Sequence, residues 1–253
     1  MRISVITAVF NRAATIGAAI QSVQSQSYGD IEHVIQDGGS EDGTGEIVKR
    51  LANDKTRLVS APDRGIYDAI NRGIARASGE VIGLMHSDDV YASDEVLQKV
   101  AQALKQPEID GVYGDLIYVS ASEPQKVIRR WVSGTYHPAR LKRGWMPPHP
   151  TLYLRRAVFE KFGLYDASFE IAADYDAMLR YLGTGQIKLA YIPEVLVKMR
   201  VGGESNRSLG RIIQKSREDY RALRRNKVGG AGTLFMKNAS KFTQFIDRNG
   251  AIK

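Results

Sequence analysis

The chain has 253 residues, 43% of them apolar, which allows one large α/β domain with an appendage and a sizeable core. It has no cysteine, so disulfides, thiolate metal sites and a catalytic thiol are excluded, and no apolar run of about 18 residues predicts a transmembrane helix. The net charge of +8 sits at one end: residues 207–253 hold 12 Lys+Arg against 3 Asp+Glu, and residues 1–206 hold 24 against 25, a near-neutral body with a basic tail that argues against nucleic acid and for an anionic lipid surface or another acidic partner. Residues 1–10 are too short an apolar run for a signal peptide and read as the first strand. Apolar, β-branched runs at 3–9, 31–35, 57–60, 81–86 and 112–119 alternate with helix-like segments at about 14–26, 44–53, 65–77 and 93–105, the pattern of βαβ units around a mostly parallel sheet. Ile66, Ile70 and Ile74 mark the face of the third helix that packs on the sheet, and Ser93-Asp94-Glu95 reads as the cap and acidic first turn of the fourth. Pro147, Pro148 and Pro150 make 145–150 a rigid loop. A strand at 152–155, helices at 156–162 and 174–182, strands near 187–192 and 195–200, and helices at about 206–226 and 233–248 complete the chain.

Ligands of open α/β sheets bind beyond the carboxyl ends of the strands. Polar segments follow the strands at Thr7 to Arg12, Asp37 to Thr44, Pro62 to Asp68 and Ser87-Asp88-Asp89. The Asp88-Asp89 pair, delivered by the buried run Val81–Met85, suits a divalent cation and a sugar nucleotide. Mg²⁺ and Mn²⁺ take oxygen ligands and bind through one or two carboxylates plus substrate phosphates. Neighbouring side chains on an extended segment point in opposite directions, so one Asp can reach the metal and the other a ribose hydroxyl.

Taken together, Ser4–Arg12, Asp37-Gly38-Gly39-Ser40-Glu41-Asp42-Gly43-Thr44, Asp63-Arg64-Gly65-Ile66-Tyr67-Asp68-Ala69-Ile70-Asn71-Arg72-Gly73 and Ser87-Asp88-Asp89 resemble, in order and spacing, the family-2 inverting glycosyltransferases with a GT-A fold. The likeness continues through His149-Pro150-Thr151 and Ala173-Asp174-Tyr175-Asp176 to Gly202-Gly203-Glu204-Ser205. It looks most like bacterial enzymes of exopolysaccharide or O-antigen synthesis, the colanic-acid type among them. The absence of Gly-x-Gly-x-x-Gly after the first strand counts against a dinucleotide oxidoreductase. The resemblance implies a donor site from Thr7, Ala8, Asn11, Arg12, Asp37, Gly38, Arg64, Asn71, Asp88 and Arg200, with a uridine-like base near Thr7 and Asp37. Gly38 stands where the commoner pattern has a second acid, and Arg64 and Asp68 also fit a solvated surface. Asp88 is implied to approach the ribose or donor sugar and Asp89 to coordinate Mn²⁺ or Mg²⁺. His149 and Ser205 are implied near donor or acceptor, with Arg200 and the Gly202-Gly203 turn closing over the diphosphate. For His149 a hydrogen-bonded structural role is the alternative.

The resemblance also calls for a base that deprotonates the acceptor hydroxyl, and Asp174 and Asp176 compete for it. On a helix they lie about 200° apart. Asp176 has Arg180 four residues on, the spacing of a helix-surface ion pair; Asp174 has Met178 there. Asp174 is therefore the preferred base and Asp176 the alternative.

The expected layout is a catalytic domain over 1–205, with a nucleotide-sugar half (1–118) and an acceptor half (119–205), followed by a basic amphipathic helical tail (206–253). In the tail, Leu209, Ile213, Ser216, Tyr220 and Leu223 trace a helical stripe that either covers the body, forms a homodimer contact or docks on a membrane. The expected activity is metal-dependent hexosyl or N-acetylhexosaminyl transfer from a nucleotide-diphosphate sugar, a UDP-sugar in the first instance. The expected acceptor is a saccharide on a polyprenyl diphosphate, reached in the cytoplasm or at the inner face of the plasma membrane. A sugar-phosphate nucleotidylyltransferase, which would want a glycine-rich basic loop after the first strand, and a non-catalytic saccharide-binding scaffold are the rivals.

Overall fold

A computed structural model describes residues 1–201 and 209–246. The first half alternates as the sequence predicts: β1 (Ile3–Val9), α1 (Ile16–Gln24), β2 (Ile31–Asp37), α2 (Thr44–Leu51), β3 (Thr56–Ser60), α3 (Ile66–Arg76) and β4 (Val81–Leu84). After β4 come β5 (Val90–Tyr91), α4 (Val96–Ala103), β6 (Gly111–Val119), β7 (Val127–Trp131), α5 (Pro138–Leu141), β8 (Tyr153–Arg155), α6 (Arg156–Phe162), α7 (Ala173–Leu182), β9 (Leu189–Arg200), α8 (Leu209–Arg225) and α9 (Ala231–Ile246). The short elements β5, β7 and α5 carry no periodicity that a sequence reading can detect. The proline-rich loop holds a single 3₁₀ turn, His149–Thr151.

The strands form one sheet in the order β3-β2-β1-β4-β8-β6-β9-β5, with β7 on β6. Strands β3, β2, β1 and β4 are parallel. Beyond β4 the sheet is mixed: β8 runs antiparallel to β4 and β6, β9 parallel to β6, and β5 antiparallel to β9. The mostly parallel expectation therefore describes the nucleotide half only. The two strands expected at 187–192 and 195–200 are one strand, β9, whose register against β6 shifts between Tyr191 and Val195. Pro193 lies in that gap and has no N–H to give the ladder.

Helix α3 sits on the sheet through Ile70 and Ile74, whereas Ile66 is 46% exposed, because the helix starts there and its first turn lies beyond the strand ends. A Cβ on Gly73 would lie 2.4 Å from Ile6, so glycine is what lets α3 approach β1. At the start of α4 Glu95 has no side-chain cap bond, while Ser93 Oγ accepts from Glu95 N at 3.4 Å just before it. Asp94 uses its backbone C=O on Ser27.

The tail is part of the body. Ala222, Leu223 and Val228 belong to the same buried cluster as Tyr175, Met178 and Leu179 of α7. Of the predicted stripe Leu223 is buried, whereas Ile213 is 54% and Tyr220 42% exposed. Asp219, Ala222 and Leu223 face inward, and the charged member is satisfied by Lys237 of α9 at 2.8 Å.

Candidate active site

The carboxyl ends of β1 and β4 are stitched by a buried polar pair. The Thr7 hydroxyl donates to the Met85 carbonyl at 2.8 Å and lies 2.9 Å from His33 Nε2. Having given its proton to Met85, that hydroxyl accepts from His33 Nε2–H. Burial pushes the His33 imidazole down to about 3, so it stays neutral. The Thr7 side chain, wholly buried, thus ties β1 to the segment that leads into Ser87-Asp88-Asp89.

Past β1 and β2 the loops are knitted together. Asn11 adopts φ 51°, a left-handed conformation that Asn tolerates, donates its N–H to Ser40 Oγ and accepts from Glu41 N. The Arg12 backbone N–H bonds Thr44 Oγ1, and Ala13 N bonds Asp42. Asp37 is buried and accepts from the Ser40 and Ser60 hydroxyls at 2.5 and 2.6 Å, so it shapes the loop around Gly38. A Cβ on Gly38 would lie 2.6 Å from Asp63 Oδ2 and 3.3 Å from the Phe10 ring. Asp63 thus lies against Gly38, beside Phe10, which is 56% exposed. The sequence reading quoted Asp63 and Phe10 but gave neither a role; only the close approach at Gly38 reveals them.

Asn71 and Arg64, both expected at the donor site, have these surroundings. Asn71 spends its amide on the Tyr165 backbone, donating to its C=O at 2.7 Å and accepting from its N–H at 3.0 Å. Arg64 is 82% exposed, 3.5 Å from Asp68, which also pairs with Arg72 at 2.7 Å. Ala8 is half-buried at the end of β1.

After β4, Asp88 is half-exposed, whereas Asp89 is 1% exposed. Asp89 Oδ1 accepts from Arg200 N at 3.2 Å, because β5 pairs with β9 and brings the end of β9 alongside. Its Oδ2 has no hydrogen-bond partner among the described residues. Burial first, then the neighbouring Asp88 charge, holds the Asp89 carboxyl well above the usual carboxylate range, opposed by Arg200. Ser205 lies outside the described residues.

Burial holds the His86 imidazole low, opposed by the charges of Asp88 and Asp174. His149 stands beside it, 6.1 Å between ring centroids, with Nε2 2.8 Å from the Tyr165 hydroxyl. Burial drives His149 down to about 4. Asp174 Oδ1 accepts from Tyr175 N at 2.8 Å and Tyr67 O–H at 3.3 Å. Burial raises the Asp174 carboxyl, but His149, Lys215, Lys237 and the Tyr175 N–H outweigh it and leave it below its ordinary value. Asp176 goes elsewhere: it is fully buried, 3.5 Å from Arg180 and bonded to Asn226 Nδ2 at 2.9 Å. The ion pair expected with Arg180 forms, but at the α7–α8 junction and not on the surface. His86, Tyr67 and Tyr165 were not singled out from sequence, since nothing local marks a lone His or Tyr; Lys215 and Lys237 were invisible as neighbours of Asp174 because they come from the tail.

The profile of glycosyl transferase family 2 matches residues 4–165. A PGL/p-HBAD biosynthesis glycosyltransferase of Mycobacterium bovis (strain BCG / Pasteur 1173P2) is 32% identical over 208 residues, 80% of this chain and 78% of that protein. The chain belongs to glycosyl transferase family 2. A second mycobacterial glycosyltransferase, from Mycobacterium tuberculosis H37Rv, is 33% identical over 190 residues, 70% of this chain and 68% of the other. Among solved structures, S. aureus TarS 1–349 in complex with UDP-GlcNAc aligns with a TM-score of 0.70 at 17% identity, over 90% of this chain and 66% of that one. The mannosyltransferase PcManGT from Pyrobaculum calidifontis, in complex with GDP-Man and Mn²⁺, aligns with a TM-score of 0.66 at 17% identity, over 99% and 76%. At such identities the likeness speaks to the fold, which is GT-A. This family-2 chain spans about two thirds of the TarS chain.

The residues at the end of β4 fit a divalent cation of the kind this fold family uses. Adjacent carboxylates with an unpartnered buried oxygen and one nearby guanidinium carry uncompensated negative charge that a cation would neutralise. Among the described residues no group of three His, Cys, Asp or Glu forms a closed cage. That suits a hard cation that completes its shell with substrate phosphates.

Proposed function

We propose that this family-2 chain is a metal-dependent inverting glycosyltransferase that moves a sugar from a nucleotide-diphosphate donor, UDP-linked in the first instance, to a hydroxyl of a saccharide acceptor. The reading is supported by a run of contacts from the end of β4 to α7: His86 stands 6.1 Å from His149, His149 Nε2 lies 2.8 Å from the Tyr165 hydroxyl, Tyr165 stacks on Tyr67 at 6.1 Å, and the Tyr67 hydroxyl reaches Asp174 at 3.3 Å. The acceptor hydroxyl attacks the anomeric carbon opposite the diphosphate. A new C–O bond forms, the bond to the phosphate oxygen breaks, and the acceptor proton passes to the Asp174 carboxylate. With its pKa below the ordinary value, Asp174 is ionised and ready to accept. The Tyr67 hydroxyl and Tyr175 N–H aim it. Mn²⁺ or Mg²⁺, when bound, supplies Lewis-acid stabilisation of the departing diphosphate.

The sequence expectation gave direct metal contact to Asp89. The burial of Asp89 favours Asp88 for that contact, with Asp89 behind it adding charge and tethering Arg200. Asp63 and Phe10 face the nucleobase in place of Asp37. His149, neutral and bonded to Tyr165, lines the donor or acceptor side of the same space.

A polyprenyl-linked acceptor and a role in surface polysaccharide at the inner face of the membrane belong to the same proposal. No helix among the described residues is long and apolar enough to cross a membrane. Support for a surface-docked tail comes from Ile212 and Ile213 among the basic residues of α8, exposed by 47 and 54%, and from Phe235 and Met236 of α9, exposed by 73 and 45%.

The test is thermal unfolding with UDP, GDP and their sugar conjugates, with and without Mn²⁺, alongside release of the nucleoside diphosphate. Saturation at about 100 times Kd adds roughly 2.7 kcal/mol, a rise of about 5–10 °C for a chain of this size. A melting temperature unmoved by every nucleotide in the presence of Mn²⁺ would end the proposal.

A further inference from the structure

The first turn of α7, which carries Asp174, has no cap of its own. Its N-cap residue is Ala172, with no side-chain acceptor. The backbone N–H groups that lead into the helix point instead at a carboxylate from the tail. Glu218 of α8 accepts from Ile171 N and Ala172 N on Oε2, both at 2.9 Å, and from Glu170 N on Oε1 at 3.2 Å. Gln214, one turn earlier on α8, holds the arrangement by donating to Glu170 at 2.8 Å and reaching Glu218 at 3.4 Å. The other face of the clamped peptide is equally committed. The Ile171 carbonyl accepts from the Tyr67 hydroxyl at 2.6 Å, the same hydroxyl that reaches Asp174 Oδ1, and the Ala172 carbonyl accepts the first helical bond from Asp176 N.

From this geometry we infer that Glu218 is a positioning residue: through residues 170–172 it sets the entry of α7 and the shared Tyr67 hydroxyl, and so the aim of Asp174. The inference rests on the proposed role of Asp174 as base. It explains why the tail folds back on the body. A carboxylate near a helix N-terminus is favoured by the dipole there, and the N–H groups of three successive residues leading into α7 are held on this one side chain. Helix α8 thereby becomes part of the catalytic apparatus, although Glu218 touches no substrate.

The experiment compares Glu218→Ala, Glu218→Gln and the parent chain by hydrogen exchange of peptides covering 166–178, by UDP titration with Mn²⁺, and by UDP release from UDP-glucose, UDP-galactose and UDP-GlcNAc. Loss of the clamp speeds exchange at 170–172 and leaves β1 and β2 unchanged. UDP affinity and donor KM stay put while kcat falls roughly 10- to 100-fold, the scale of a sub-ångström to ångström misplacement of a reacting group. Gln has one acceptor oxygen to serve N–H groups now divided over two, so it recovers part of the loss. In an Asp174→Asn background Glu218→Ala has no further effect on residual turnover, because it acts through the missing group; a purely structural contribution would add. Unchanged exchange at 170–172, or a kcat per folded molecule equal to the parent's, overturns the inference. A parent chain that releases UDP from none of these donors would defeat the proposed function for UDP-sugars, while the exchange result still decides the clamp.

Discussion

Replacing Lys237 with Met tests whether α9 is structural. The ammonium is 4% exposed, 2.8 Å from Asp219 Oδ2 and 3.2 Å from the Tyr175 ring centroid. Asp219 is 2% exposed, and the α9 backbone at Lys237 abuts Gly144, where a Cβ would lie 2.6 Å away. Removing one member of a buried pair costs about 3–5 kcal/mol, chiefly because the partner is left charged and dry. Here Lys215 remains 3.4 Å from Asp219 and takes up part of the charge, which puts the expected loss at the lower end, about 3 kcal/mol. Equilibrium urea unfolding reads this directly, and the melting temperature should fall by about 6–12 °C. The double change Lys237→Met with Asp219→Leu removes the stranded charge and should recover most of the loss. A single variant within about 0.5 kcal/mol of the parent, the range of ordinary surface changes, would refute the packing of α9 described above.

Asp174→Asn should lower kcat by about 10²- to 10⁴-fold with UDP affinity in Mn²⁺ within about twofold; turnover at the parent rate would remove Asp174 as base. Asp89→Asn, acting from behind the contact carboxylate, should weaken Mn²⁺ affinity roughly 10- to 100-fold, and Asp88→Asn should weaken it more; the reverse order returns the metal to Asp89. The Arg225 guanidinium holds the Asp166 carboxyl down at about 2. Its folded pKa is depressed, so its stabilisation is present above about pH 4 and lost as pH falls from 4 toward 2. The stability gap between the parent and Arg225→Ala should close over that window; a gap constant down to pH 2 would show that the pair contributes nothing through titration. Phe235→Asp with Ile213→Asp should reduce flotation with anionic vesicles, and equal recovery of the parent on neutral and anionic vesicles would remove the electrostatic part of tail docking.

Periodicity and turn chemistry are local properties, and the parallel half of the sheet, the helices between its strands and the acidic segments at the strand ends were all legible from them. So was the pairing of Asp176 with Arg180, which follows from their i,i+4 spacing. Burial and long-range pairing are not local. Thr7, Asp37 and Asn71 look like ligands in the chain, yet the fold spends Thr7 on Met85 and His33, Asp37 on Ser40 and Ser60, and Asn71 on Tyr165. The approach of Asp63 to Gly38 and of His86 to His149 appears only once the chain is folded. The tail shows the division most sharply. Its charge and helicity are written in the residues, but Glu218 lies 46–48 residues from the peptide groups it holds. No short-range pattern carries that distance; closing so long a loop is worthwhile only because unpaired N–H groups and a buried helix face wait at the far end.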